Sequence, residues 1–133
     1  MLAKCINELY GVGITADRVI VYDLDRAMPL EEIEKYDAVY FAGGNPRHLL
    51  GKVNEVAFAP VVKAFLAGGG LYVGVSAGSI LAADIGLVNC RFTGLHCQDG
   101  SPNGPVDLKN CPDICLTDNQ GLMIDSHGSI VFE

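Results

Sequence analysis

The chain has 133 residues, half of them apolar, with 16 Gly and no Trp, which suits one α/β domain over residues 1–133 with its own hydrophobic core. Lys and Arg number 9 against 16 Asp and Glu, a net charge of −7, and no basic run offsets it, so neither nucleic acid nor an anionic membrane is an expected partner. No apolar stretch reaches bilayer-spanning length and the N-terminal apolar run is too short for a secretory leader, so a cytoplasmic location is expected.

Leu2 to Tyr10 reads as an amphipathic helix, with Leu2, Ile6 and Leu9 on one stripe and Gly11 to Gly13 ending it. Val19-Ile20-Val21-Tyr22 reads as the first strand, and Pro29 to Tyr36 as a short helix with Glu31 and Glu32 at the positive end of its dipole. Asp37 to Phe41 is the next predicted strand and runs into the glycine turn Ala42-Gly43-Gly44-Asn45-Pro46. Helix is expected at His48–Leu50 and Val56–Leu66, interrupted near Pro60, and then the strand Leu71 to Val75. An Ala-rich helix over Ala77–Ala83 follows. Beyond Asp84 the pattern weakens: Gly86–Val88 and Phe92–His96 read as short strands or loop, and Gln98–Pro105 as a surface loop. Ile114–Leu116 is a short strand, and Leu122–Ile124 with Ser129–Phe132 forms a hairpin around Asp125–Gly128. Strand–helix alternation predicts a mostly parallel sheet flanked by helices, with ligands beyond the carboxyl ends of its strands.

Gly74-Val75-Ser76-Ala77-Gly78 is a G-x-S-x-G sequence with a strand before it and a helix after it. In that setting it reads as a nucleophile elbow, and the bland alternative is a serine that only caps the helix. A serine hydroxyl needs a base to take its proton and an acid to hold that base in one tautomer. Among the three His, His48 frames a pocket or faces solvent, His127 sits in a turn, and His96, beyond a short apolar run, is the candidate base. Asp118 ends a strand and is the preferred acid, with Asp84 and Asp99 as alternatives. Backbone amides of Gly44 and Ala77 are candidate oxyanion donors. Five Cys is an odd number for a disulfide scaffold, so the thiols are read as mostly reduced, with Cys5 in the core. Cys90, Cys97, Cys111 and Cys115, with His96 and His127 nearby, could outline a zinc site but lack a close C-x-x-C pair, so no metal is expected; serine chemistry implies no organic cofactor. A cysteine nucleophile at Cys97 or Cys115 ranks low because neither sits at an elbow.

The runs YFAGGNPRHLL, GGGLYVGVSAGSILAADI, GLVNCRFTGLHC and ICLTDNQGLMI resemble the aspartyl dipeptidase (peptidase E) and cyanophycinase family. These are serine peptidases with a class I glutamine amidotransferase-like, flavodoxin-like three-layer fold. The resemblance places the nucleophile on Ser76, the His on His96 and the acid on Asp118, where the family usually has Glu. It places an oxyanion donor in the turn Gly43-Gly44-Asn45. The chain retains no clear basic residue to grip an acidic substrate; Arg47, beside that turn, is a candidate for the charge, with a solvated arginine as the bland alternative. Relatives carry an additional first strand between the strands at Val19 and Tyr40, a longer segment before the His with an acidic residue near Asp84, and a tyrosine where this chain has Cys97. The missing strand predicts unpaired edges and hence a homodimer or larger assembly. The expected activity is hydrolysis of short peptides by a Ser-His-Asp triad. The alternative is a catalytically weak relative that binds a small ligand or functions through assembly.

Overall fold

The computed structural model describes residues 2–133. The chain divides into two compact units, one ending at Leu81 and one running from Ala82 to Glu133.

In the first unit, helix α1 (Leu2–Gly11) is followed by a single 3-10 turn (Ala16–Arg18), helix α2 (Leu30–Ile33) and strand β1 (Ala38–Phe41). Helices α3 (Pro46–Glu55) and α4 (Phe58–Ala67) then lead to strand β2 (Leu71–Gly74), and helix α5 (Ala77–Asp84) begins just beyond it. β1 and β2 pair in parallel from Ala38↔Leu71 to Phe41↔Gly74. Parallel neighbours need a crossover, which α3 and α4 supply. These helices bury Val53, Phe58, Val62 and Phe65, with Val53 and Val62 fully enclosed. Phe41 links sheet to helix: its ring lies 6.1 Å from Phe58 and stacks on Tyr72 at 5.3 Å. Each such side chain contributes roughly 1.5–3 kcal/mol through burial. Cys5 is buried on α1, as its reading as a core residue expects.

Three expectations need correction here. Val19–Tyr22 forms no strand; Val19 has extended dihedrals, yet no ladder partner lies beside the segment among the described residues. β-branched residues supply the propensity, but a strand exists only when a neighbour takes its hydrogen bonds. Ile20 is accordingly 64% exposed and Val21 50%. Second, the α3–α4 break falls at Val56–Ala57, where Ala57 is left-handed (φ 51°), and not at Pro60. Pro60 lies in the first turn of α4, where no amide is needed. Third, α2 spans only four residues of the predicted Pro29–Tyr36 helix.

The second unit contains strands β3 (Arg91–Leu95), β4 (Gly104–Val106), β5 (Asp113–Leu116), β6 (Gly121–Asp125) and β7 (Gly128–Phe132). β3 and β5 pair in parallel, with a register shift between Phe92 and Gly94. β6 and β7 form the predicted hairpin, and β4 joins β7 antiparallel on its other side. Gly104-Pro105-Val106 overlaps the end of the expected surface loop; a proline is tolerated in this strand because β4 is an edge strand. Gly86–Val88 is not a strand. Cys90, Ile114, Leu116 and Val131 form the core of this unit, covered by Val88, Phe92, Leu95, Val106, Leu108 and Leu122. The architecture is therefore mixed α/β. Among the described residues its parallel strands form two short ladders, one in each unit, and the second unit also holds a three-stranded antiparallel sheet; no single continuous parallel sheet is formed.

Candidate active site

Ser76 follows β2 directly and has a left-handed backbone, φ 55°. A serine in that region carries a strain of roughly 1–3 kcal/mol, retained only where surrounding contacts impose it. Those contacts are plain at this turn. The Val75 amide donates to the Phe41 carbonyl of β1 (3.1 Å), the Gly78 amide to the Val75 carbonyl (3.0 Å), and the Ser79 amide to the Ser76 carbonyl (2.9 Å). The Tyr72 hydroxyl donates to the Gly78 carbonyl (2.6 Å), and the Ser79 hydroxyl to the Gly74 carbonyl (3.0 Å). Burial pushes the Tyr72 hydroxyl well above the usual tyrosine range, which keeps it a donor.

The two glycines of the motif are required by space. A Cβ on Gly74 would lie 2.5 Å from the Gly78 carbonyl oxygen, and a Cβ on Gly78 would lie 2.3 Å from that of Phe41. Strand and helix thus approach more closely than any side chain permits. A serine that only caps a helix takes extended dihedrals, whereas Ser76 has the strained conformation of an elbow.

Because β1 and β2 are parallel and end together at Phe41↔Gly74, the turn after β1 and the elbow after β2 leave the same edge of the ladder. Gly44 has φ 138°, and a Cβ there would meet nothing within 4 Å, so conformation, not packing, calls for glycine. Gly43 is half-buried beside it, and Ala77 is 1% exposed. Asn45 caps α3, its Oδ1 accepting from the amides of Arg47 (2.9 Å) and His48 (3.2 Å). The Arg47 and His48 side chains are exposed.

In the second unit, His96 stands one residue beyond β3 with φ 63°, and Asp118 lies two residues beyond β5. The register Leu95↔Leu116 brings their loops out side by side. His96 Nδ1 makes a polar contact with Asp118 Oδ1, with both side chains mostly exposed. An Nδ1–H donated to a carboxylate fixes the tautomer in which Nε2 is the basic nitrogen. Asp84, the other acid considered, is an exposed residue at the end of α5, and Asp99 is exposed in the loop after His96. An open cleft of about 520 Å³ adjoins Asp118, lined in part by Asp99, Thr117, Gln120 and Glu133.

Two features at this pair were not foreseen. Gln120 organises the turn that carries Asp118: its Oε1 accepts from the Thr117 amide (3.1 Å), while its Nε2 donates to the Ser101 carbonyl (2.7 Å) and to Asn103 Oδ1 (2.8 Å). Thr-Asp-Asn-Gln between two strands announces a turn, but not which loop its amide would reach. Cys97 and Cys115 are joined in a disulfide, which corrects their reading as thiols and removes both as nucleophiles. Cys5, Cys90 and Cys111 are free, and burial raises the Cys90 thiol above its usual range, leaving it unreactive. No group of three or more metal-ligating side chains comes together among the described residues.

A family model for peptidase family S51 matches residues 3–89. No curated protein and no solved structure matches the chain. The matched span includes the Gly43-Gly44-Asn45 turn and the Ser76 elbow, while His96 and Asp118 lie beyond it. With more than half of its length matched and the strained serine inside that span, the chain belongs to peptidase family S51, a family of serine peptidases.

Proposed function

We propose that residues 1–133 act as a serine peptidase of the aspartyl-dipeptidase type, cleaving short peptides through an acyl-enzyme. The observation that carries this reading is the left-handed Ser76 at a strand–helix elbow too tight for any residue but glycine at 74 and 78. Ser76 Oγ attacks the scissile carbonyl and passes its proton to His96 Nε2. Asp118 holds the imidazole through Nδ1, and the amides of Gly44 and Ala77 receive the oxyanion. The protonated His96 then gives its proton to the leaving amine, and water repeats the sequence to release the acid. Gly43, Asn45 and Arg47 border the substrate on the oxyanion side, with Arg47 matching an acidic residue. Asp118 is preferred to Asp84 because it is the carboxylate that His96 contacts. The cleft beside it carries Asp99 and Glu133 as well, a charge complementary to the ammonium of a short peptide.

The test is turnover of a dipeptide library, beginning with N-terminal Asp, by wild type, Ser76→Ala, His96→Ala and Asp118→Asn. Loss of turnover in Ser76→Ala and a fall on the order of 10²–10⁴-fold in His96→Ala are expected. Turnover that survives Ser76→Ala contradicts the reading.

The chain is also proposed to self-associate, completing a larger sheet of the amidotransferase-like kind. Among the described residues β1 pairs on one side only. Beside it lies a cavity of about 640 Å³, lined by α1, by the exposed Ile20 and Val21 and by β1 itself. Open strand edges and apolar grooves favour pairing with a second chain. A single monomer mass in light scattering from micromolar to millimolar protein contradicts this.

A further inference from the structure

We propose that the Cys97–Cys115 disulfide is a positioning element for the His96–Asp118 pair, and that a dithiol reductant releases the pair by opening it. The inference deepens the proposed catalytic reading and rests on it only for the consequence at Ser76. Its basis is placement. Cys97 is the residue after His96, and Cys115 is three residues before Asp118, so the bridge joins the two segments that carry the pair at their roots. Both segments leave parallel strands paired at Leu95↔Leu116.

His96 has a left-handed backbone, which folds Cys97 back over the end of β3. The Cys97 amide donates to the Leu116 carbonyl (3.0 Å), and the two sulfurs lie over Gly94. A Cβ on Gly94 would stand 2.4 Å from Cys97 Sγ and 3.1 Å from Cys115 Sγ. The glycine in β3 therefore makes room for the bridge, and the bridge holds the turn in which His96 points to Asp118. Both side chains of the pair are mostly solvent-exposed, so packing does little to orient them. A covalent tie one residue away restrains the His96 side, as Gln120 restrains the Asp118 side.

The switching step balances simply. A dithiol attacks the Cys97–Cys115 bond, two electrons and two protons pass to the pair of sulfurs, and the dithiol leaves as a cyclic disulfide. Cys97 and Cys115 become thiols, and residues 96–97 lose their covalent tether to β5, keeping only the hydrogen bond from the Cys97 amide to the Leu116 carbonyl.

The experiment uses the intact chain. Alkylation under denaturing conditions without reductant should modify three cysteines, and five after dithiol treatment; five modified without reductant overturns the proposal. In the oxidised protein, a nuclear Overhauser contact between the His96 ring and the Asp118 methylene is expected. It should vanish on reduction and in the double variants Cys97→Ser/Cys115→Ser and Cys97→Ala/Cys115→Val, with the β3–β5 amide pattern retained. Fluorophosphonate labelling at Ser76 should slow on the order of 10²-fold in parallel, as for a general base out of position. A contact that persists through reduction overturns the positioning role. So does collapse of the β3–β5 pattern in the reduced protein and in both variants, which would make the bridge a support of the fold alone. Absent labelling at Ser76 with the disulfide-dependent contact intact would refute the peptidase reading and leave the positioning role standing.

Discussion

Gly78→Ala perturbs the elbow at its narrowest point. The added methyl would lie 2.3 Å from the Phe41 carbonyl oxygen and 2.9 Å from Phe41 Cβ. Phe41 cannot retreat easily: it ends β1, is 6% exposed, and its carbonyl accepts the Val75 amide at 3.1 Å. Overpacking of this kind costs about 1–3 kcal/mol, and losing the Val75 hydrogen bond adds about 1 kcal/mol. Gly78 also lies in a helix, α5, so alanine returns up to about 0.5–1 kcal/mol of propensity, and the expected net destabilisation is about 1–3.5 kcal/mol. Gly51→Ala is the control, because a Cβ there meets nothing within 4 Å in the body of α3; it should stabilise by roughly 0.5–1 kcal/mol through helix propensity. Urea unfolding of both variants at neutral pH provides the comparison. A Gly78→Ala protein within about 0.5 kcal/mol of wild type, the range of an ordinary surface substitution, would refute the reasoning that strand and helix meet too closely here for a side chain.

Other consequences are equally direct. Asn45→Ala removes the cap of α3 and should lower stability by about 1 kcal/mol, measurable by urea unfolding, whereas Asn45→Asp should retain most of it. Ile114→Ala empties a site 2% exposed in the core of the second unit and should cost roughly 2–5 kcal/mol in the same assay with the disulfide intact. The Tyr40 hydroxyl is pushed up to about 12, chiefly by burial and then by its hydrogen bond with Cys5. An unfolded tyrosine releases its proton near pH ~10, so above that pH the unfolded state binds fewer protons than the native one. The stabilisation is full below pH ~10 and is lost as pH rises toward ~12, with a slope for this one group below about 1.4 kcal/mol per pH unit because the ring is only partly buried. Unfolding free energies between pH 9 and 11 should fall less steeply in Tyr40→Phe than in wild type; parallel curves would contradict this.

Local patterns made much of the first unit legible. The stripe Leu2, Ile6, Leu9 gave α1, the apolar runs before Gly43 and Ser76 gave β1 and β2, and G-x-S-x-G between strand and helix gave the elbow. The failures concern non-local partners. Val19–Tyr22 has the composition of a strand and lacks a neighbour among the described residues, which no window of residues reveals. Gly104-Pro105 looks like loop chemistry and becomes an edge strand because β7 is there to receive it. Pro60 looks like a helix break, yet three residues earlier Ala57 turns left-handed and places the proline in a first turn. At the candidate site, His96 and Asp118 were legible as residues following short strands. The disulfide beside them was not, because an odd number of cysteines without close pairs argues for thiols, and pairing depends on the register of β3 against β5.

The central claim is an activated serine at residue 76, and the most direct measurement is covalent labelling by a fluorophosphonate probe with the adduct located by mass spectrometry. One adduct per chain on Ser76, absent in Ser76→Ala and strongly slowed in His96→Ala, is the predicted result. A folded wild-type protein that takes no label, or takes it equally fast without His96, would contradict the account and leave the elbow as architecture without a nucleophile.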